Sequence, residues 1–226
     1  MWNATRVEVV ALIPARGGSK GIPRKNLAPV GGRPLLVWTI DAALDSRTVT
    51  RTVVSTEDDE IASVARSLGA EVLARPAELA GDDTPMQPVI AHALEELTAP
   101  DVLVLLQPTS PLRRAEHVDE AVDLLLATGA DSVVSVVEVP HRYRPGSLMA
   151  LDGERLVRLA DDHAGTRQEK PLVYARNGPA VLALRPDRIG ADLYGGDCRP
   201  YVMAHRDSLD VDEPFDLELA ELLLAR

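Results

Sequence analysis

Aromatic side chains are scarce in this chain of 226 residues: one Phe, two Trp and four Tyr, 3% of the sequence, so its core has to be aliphatic. Cysteine is limited to Cys198, which excludes an internal disulfide framework and a multi-cysteine zinc site. No apolar run approaches the roughly 18 residues that a membrane span requires. Met1–Arg6 lacks the charged-then-apolar layout of a signal peptide. A basic excess is also missing. Lys and Arg number 24 against 35 Asp and Glu, a net charge of −11. That balance argues against a broad nucleic-acid or anionic-membrane surface, because polyanions bind by releasing counterions onto a basic face. The histidines (His92, His117, His141, His163, His205) are scattered without zinc-ligand spacing, and no Gly-x-Ser-x-Gly nucleophile elbow occurs. What is present, 46% apolar and 26% charged residues, is the balance of an ordinary globule. The expectation is a reduced, cytoplasmic, single-domain protein spanning residues 1–226.

The net charge conceals a polarity along the chain. Residues 1–33 carry six cations (Arg6, Arg16, Lys20, Arg24, Lys25, Arg33) against Glu8. Residues 207–221 carry seven anions (Asp207, Asp210, Asp212, Glu213, Asp216, Glu218, Glu221) and no cation. Two solvated surfaces would account for this, and so would two segments that meet around an anion and a metal.

Strand and helix signals alternate. Val7–Ile13 reads as a buried strand ended by Pro14. Leu35–Leu44 has helical spacing, with Pro34 suited to a first-turn position. Thr52–Ser55 is a short β-branched strand, and Thr56–Asp59 resembles a capping box opening a helix through Leu68, stopped by Gly69. Glu71–Leu73 reads as strand, Met86–Leu97 as helix, and the almost wholly apolar Asp101–Leu106 as a central strand buried on both faces. Helix Ala115–Thr128, strand Ser132–Val137 and a last helix Pro214–Leu224 complete the pattern. The alternation predicts an α/β domain with a mainly parallel sheet and helices on both faces. From Pro140 to Pro200 short strands and turns replace the crossovers, an elaboration of the same domain.

Directly after the first strand comes Pro14-Ala15-Arg16-Gly17-Gly18-Ser19-Lys20-Gly21-Ile22-Pro23-Arg24-Lys25-Asn26. Ligands in open α/β sheets sit beyond the carboxyl ends of strands. Glycines there let the backbone turn and offer N–H groups to phosphate, while Arg16, Lys20 and Lys25 supply cations. The spacing fits neither a P-loop nor a dinucleotide fingerprint. A flexible basic loop is the plainer alternative; its position and three cations favour a phosphate site.

Ile13–Asn26 (IPARGGSKGIPRKN) resembles the signature of the nucleotide-sugar cytidylyltransferases, in particular the acylneuraminate branch. The similarity continues in order through Val53–Thr84, Leu105–Arg113 (LLQPTSPLR), Ala130–Val136 and Asp207–Glu221 (DSLDVDEPFDLELAE), and is weakest over Pro140–Tyr174. It implies a Rossmann-like nucleotidyltransferase fold and transfer of the cytidylyl group of CTP to an acceptor with release of pyrophosphate. Arg16, Ser19, Lys20 and Lys25 would hold the triphosphate, with Ala15, Gly17 and Asn26 beside the nucleotide. Arg16 and Lys20 would stabilise charge during transfer. Arg75 would approach the cytosine; by itself it reads as a surface Arg before a proline.

Asp210 and Asp212 stand i, i+2 in an extended segment, which puts both carboxylates on one side. Two hard oxygen ligands suit Mg²⁺ or another divalent cation. Capping of the last helix is the alternative for acidic residues before Pro214, and Asp207 and Asp216 are read as capping or surface residues. Gln107 and Ser110, at the carboxyl end of the central strand, can hydrogen-bond an acceptor; Ser110 also fits a helix cap. Arg113 is assigned neither a surface nor an anion-binding role.

The acceptor half departs from the sialic-acid pattern. Asn177-Gly178-Pro179-Ala180-Val181 replaces a family segment ending in Tyr, and His141-Arg142-Tyr143-Arg144 stands where a Lys is common. The Phe-rich patch that follows in some members is absent, with only Tyr194 nearby, and Arg167 and Arg176 are candidate clamps for a carboxylate or phosphonate. The expected acceptor is a small anion: an acylneuraminate or related nonulosonic acid, or else a phosphonate. A nucleotide-binding regulatory domain without turnover is the alternative from a different class. The resemblance also implies a homodimer whose Pro140–Pro200 region reaches its neighbour.

Overall fold

A computed structural model describes residues 7–159, 172–190 and 192–225. In chain order the elements begin with β1 (Val9–Pro14), β2 (Pro29–Val30), β3 (Arg33–Pro34), α1 (Leu35–Leu44), β4 (Arg51–Thr56), α2 (Asp59–Ser67) and β5 (Glu71–Ala74). Next come α3 (Met86–Glu96), β6 (Val102–Leu105), α4 (Ala115–Thr128), β7 (Ser132–Glu138), β8 (Met149–Asp152) and β9 (Arg155–Arg158). The chain ends with β10 (Tyr174–Arg176), β11 (Leu182–Leu184), β12 (Cys198–Val202) and α5 (Pro214–Leu224).

The main sheet has eight strands and runs β10-β7-β11-β6-β1-β4-β5, with β12 also on β7. β1 pairs in parallel with β4 on one side and β6 on the other, and β4 pairs in parallel with β5. The antiparallel members are β10 and β11. They pair with successive stretches of one edge of β7, because β12 lies parallel along its other edge. Residues 177–181, between β10 and β11, interrupt the ladder, with Val181 O still accepting from Ser135 N of β7.

Period-two alternation on β1 sorts the core onto both faces of the sheet. Val9, Ala11 and Ile13 pack with Leu36 and Ile40 of α1, Ile61 of α2 and Val118 and Val122 of α4. Val10 and Leu12 pack on the opposite face with Ile90 and Ala93 of α3 and with Leu182 and Leu184. The apolar run of β6 is buried throughout, as a strand covered on both faces must be. The expected α/β architecture is observed, and α1, α4 and α5 take the bounds that sequence pattern gives them.

Two local expectations are corrected. Pro34 is the residue before the first turn of α1 (φ −54°, ψ 140°) and not inside it. α2 is capped by Asp58, whose carboxylate accepts from Glu60 N and Ile61 N, while Thr56 Oγ1 accepts from Asp58 N instead of forming a capping box. The carboxylate nearer the helix reaches its free N–H groups, and the Thr56 hydroxyl two residues earlier does not. Apart from the sheet stand the β8–β9 hairpin, whose side chains are mostly exposed, and the small β2–β3 ladder.

Candidate active site

β1 is the point where strand order reverses: the chain leaves it toward β4 and β5, then returns on its other side at β6. Loops after β1 and β6 therefore diverge and leave a crevice at their carboxyl ends. A cavity of about 380 Å³ lies there, bringing together Arg16, Gly18, Ser19, Lys25, Asn26, Arg75, Gln107, Asp210 and Asp212. These residues come from four separate stretches of sequence.

The loop after β1 is tied at several points. Ala15 N donates to Ser55 O (3.0 Å), and Gly17 N to Glu57 Oε1 (2.7 Å). A Cβ at Gly17 would stand 2.6 Å from Asp58 Oδ2, so the close approach to the α2 cap demands glycine. Buried Asn26 donates from Nδ2 to Arg16 O (2.9 Å), closing the loop on itself. Ala15 is buried and Gly17 is engaged with Glu57, and neither lines the cavity.

Every cation of this loop faces a carboxylate. Arg16 pairs with Asp82 (2.6 Å), Lys20 with Asp83 (3.0 Å), Arg24 with Asp58 and Glu60, and Lys25 with Asp212 (2.9 Å). Lys25 Nζ also donates to Val211 O (2.8 Å). The basic N-terminal and acidic C-terminal segments thus meet. Lys20 stands at the exposed rim, outside the cavity wall.

Arg75 is not the surface residue that its sequence context suggests. It is 7% exposed, donates from Nε to Ser55 Oγ (3.2 Å) and from Nη2 to Ser55 O, and lines the cavity. Burial holds its guanidinium below its ordinary pKa.

On the opposite wall, Val211 N donates to Thr109 O (2.7 Å), which fastens the Asp210–Asp212 segment to the loop after β6. Among the described residues Asp210 Oδ1 is buried without a hydrogen-bond partner, and burial pushes the Asp210 carboxyl above its ordinary pKa against a hydrogen bond from Thr109. The helix-capping role falls to others: Asp216 Oδ2 accepts from Asp212 N (2.9 Å) and Glu213 N (2.8 Å). Asp207 pairs with Arg114 (2.8 Å). Asp210 and Asp212 are therefore left over by the cap, and the orphaned Asp210 oxygen fits a hard divalent cation that keeps most of its waters. Among the described residues no group of three or more His, Cys, Asp or Glu side chains is placed to enclose a metal, so such an ion would depend on ligand oxygens as well.

The acceptor-side candidates separate. Gln107 lines the cavity and donates from Nε2 to Gly178 O (3.2 Å). Ser110 is fully buried behind Gly178 and does not reach the cavity; nor does it cap α4, where Arg114 occupies the cap position. A Cβ at Gly178 (φ +119°) would meet Ser110 Oγ at 3.3 Å and Asp210 Oδ1 at 3.5 Å. Arg176 lies exposed on β10, its guanidinium 4.0 Å from the Tyr194 ring centroid, and is not part of the cavity wall. Arg167 lies outside the described residues. Arg142 stacks on Tyr143, and Arg144 pairs with Glu138 (3.0 Å).

Sequence pattern missed several contributors. Gly81, Asp82, Thr84, Met86 and Val89 line the cavity from the segment entering α3, and Gly178 from the loop between β10 and β11. Asp82 and Asp83 were discoverable only as an acidic pair near a basic loop; nothing local places them together.

Comparison with known proteins agrees with this geometry. The family described as cytidylyltransferase matches residues 10–223. An N-acylneuraminate cytidylyltransferase of Escherichia coli is 34% identical over 218 residues, covering 95% of this chain and 52% of the relative. A CMP-N,N'-diacetyllegionaminic acid synthase of Legionella pneumophila is 35% identical, covering 96% of this chain and 97% of that protein. The chain spans about half the length of the acylneuraminate relatives it matches, at 52%, 51% and 50%. Among solved structures, a CMP:2-keto-3-deoxy-manno-octonic acid synthetase complexed with CTP shares the fold, with a TM-score of 0.75 at 17% identity over 96% of this chain and 98% of that one.

Proposed function

The chain belongs to the cytidylyltransferase family, and we propose that it transfers the cytidylyl group of CTP to a nonulosonic acid with release of pyrophosphate. The observation that carries this reading is the cavity at the strand-order reversal, where Arg16 and Lys25 on one wall face Asp210 and Asp212 on the other. A triphosphate satisfies the first wall, and a carboxylate pair left out of the helix cap serves the second. The near-complete coverage of the legionaminic acid synthase supports an acceptor of that class.

In the proposed reaction an acceptor hydroxyl oxygen bonds to the α-phosphorus of CTP, the bond to the β-phosphate oxygen breaks, and pyrophosphate leaves. The hydroxyl proton passes to solvent or to a carboxylate of the site. Arg16, Lys20 and Lys25 neutralise the triphosphate and the charge that builds on the leaving group. CTP takes over cations already held by carboxylates, so the loop is charge-compensated before and after binding. Asn26 and the Gly17 contact keep the backbone in one conformation, and Arg75 closes the end of the crevice where the base would lie. Asp210 and Asp212 would hold a divalent cation such as Mg²⁺, which supplies charge screening near the α-phosphate. Gln107 and the Gly178 backbone form the wall facing the acceptor.

The proposed assembly is a homodimer through the β8–β9 hairpin. Leu151 and Leu156 are 76% and 64% exposed there, and adjoining Val157 and Leu159 are also open, an apolar surface unusual for a monomer.

The test is incubation of the protein with CTP and Mg²⁺ against N-acetylneuraminate, a legionaminic acid and small phosphonates. Pyrophosphate release together with a CMP–nonulosonate mass is the expected result. A CMP adduct confined to a phosphonate would move the acceptor class, and CTP binding without release from any acceptor would identify a regulatory domain.

A further inference from the structure

Among the described residues Arg113 is the most completely buried guanidinium that the site does not use. It is 3% exposed, and among the described residues no carboxylate pairs with it. Its Nη1 donates to Gln107 O (3.0 Å) and Ala180 O (2.9 Å), and its Nη2 to Thr39 Oγ1 on α1; its Nε has no partner among the described residues. We infer that Arg113 is a positioning residue for the acceptor, clamping the loop after β6 and the loop between β10 and β11 into one rigid wall.

The wall is built in two stitches. Arg113 joins the two loops from behind through the Gln107 and Ala180 carbonyls, and the Gln107 side chain joins them again at the cavity surface through Gly178 O. The same loop holds the Asp210 segment through the Thr109 carbonyl. Ser135 of β7 holds the two ends of this loop, through Asn177 Oδ1 and through Val181 N and O, but the Gly178 and Ala180 carbonyls between them are not taken up by the ladder. Backbone looped out of a sheet needs another source of order, and a planar donor fork reaching two carbonyls and a hydroxyl provides it.

Stability alone does not account for the choice. A buried cation without a counter-charge carries a desolvation penalty, felt here as a guanidinium held down to about 9 by burial. An apolar side chain would fill the same core without that penalty, but it would leave only the Gln107–Gly178 hydrogen bond to join the loops. The CTP-facing loop after β1 has direct ties through Ser55, Glu57 and Asn26 that bypass Arg113, and it meets the clamped loop only indirectly, through Lys25 and Val211. The clamp should therefore act on one substrate and not the other.

This inference rests on the transferase reading above, and its test separates the two. Arg113→Lys keeps a charge but lacks the fork, and Arg113→Met keeps approximate length without charge or donors. With CTP and N-acetylneuraminate as the probe acceptor, both variants should raise KM for the acceptor about tenfold or more, while KM for CTP stays within about twofold. Hydrogen exchange of the intact chain should quicken at residues 107–113 and 177–181 and stay unchanged at 15–26. Equal rises in both KM values, or faster exchange throughout the chain, would reduce Arg113 to general core support and overturn the inference. Unchanged exchange in folded Arg113→Lys overturns it as well. Should the parent protein transfer CMP to no acceptor, the transferase reading falls and the exchange pattern alone decides whether the clamp exists. If Arg113→Met fails to fold, Arg113→Lys supplies both measurements.

Discussion

Asp119 and Asp210 show how differently two partly buried carboxylates are treated in one chain. Asp119 on α4 receives Ser46 Oγ (2.6 Å), Thr48 N (3.0 Å) and Thr48 Oγ1 (2.9 Å), so the turn after α1 is pinned to the far helix. Burial by itself would raise its pKa; the hydrogen bonds outweigh that and hold the carboxyl below its ordinary value. Asp119→Ala strands those donors and should cost about 1–3 kcal/mol at pH 7. Because the folded pKa is depressed, the Asp119 contribution is complete above the unfolded value near ~4 and fades as pH falls below it. The difference in thermal midpoint between parent and Asp119→Ala should accordingly shrink on acidification below that point. Asp210 has the opposite pattern: it is buried with one oxygen unsatisfied, a destabilising arrangement that a bound cation would relieve. Asp210→Ala should leave CTP binding, measured by calorimetry, within a few-fold of the parent while lowering the transfer rate by about a hundredfold or more. Comparable turnover in parent and variant would remove Asp210 from the chemistry.

At the scale of elements, α2 joins stability to the site. Its cap, Asp58, accepts from Glu60 N (3.0 Å) and Ile61 N (2.9 Å), pairs with Arg24, and sits against Gly17. Backbone hydrogen bonding from Ile61 leads the effects that hold its pKa down, against burial and alongside Arg24. Asp58→Ala removes the cap and should lower stability by about 1 kcal/mol. The same substitution frees Arg24 and opens space beside Gly17, so CTP affinity should also fall, a joint change that calorimetry and thermal unfolding can follow together. The bounds of α1, α4 and α5 were legible because prolines, polar starts and apolar spacing act locally. The cap of α2 was misplaced by two residues, since a Thr-Glu-Asp-Asp start offers several oxygens and only geometry selects one. β10 and β11 were not legible as interrupted partners of β7. Three-residue strands carry almost no periodicity, and their pairing is settled by neighbours about 40 residues or more away in sequence.

For the whole molecule, the exposed β8–β9 hairpin bears on assembly. Leu151→Glu with Leu156→Arg should leave the main core untouched, since neither side chain packs into it. In light scattering after size exclusion, the parent should run as a dimer and the double variant as a monomer; a monomeric parent would remove the proposed interface. The scarcity of aromatics, the single cysteine and the alternation of strands and helices determined an aliphatic α/β domain with a mainly parallel sheet, because those properties follow from composition and local period. The loop after β1 and the ordered motifs indicated the cytidylyltransferase family and most of the residues that meet in the cavity. Tertiary structure alone decided that Arg75 and Arg113 are buried, that Ser110 stands behind Gly178, and that Arg176 turns to Tyr194 at the sheet edge. It also joined the two charged ends of the chain through Lys25 and Asp212, and gave the other loop cations to Asp58, Glu60, Asp82 and Asp83. Each of those outcomes depends on where two distant segments come to lie, and the burial or pairing of a side chain is a property of its neighbours in space, which residue type and spacing do not encode.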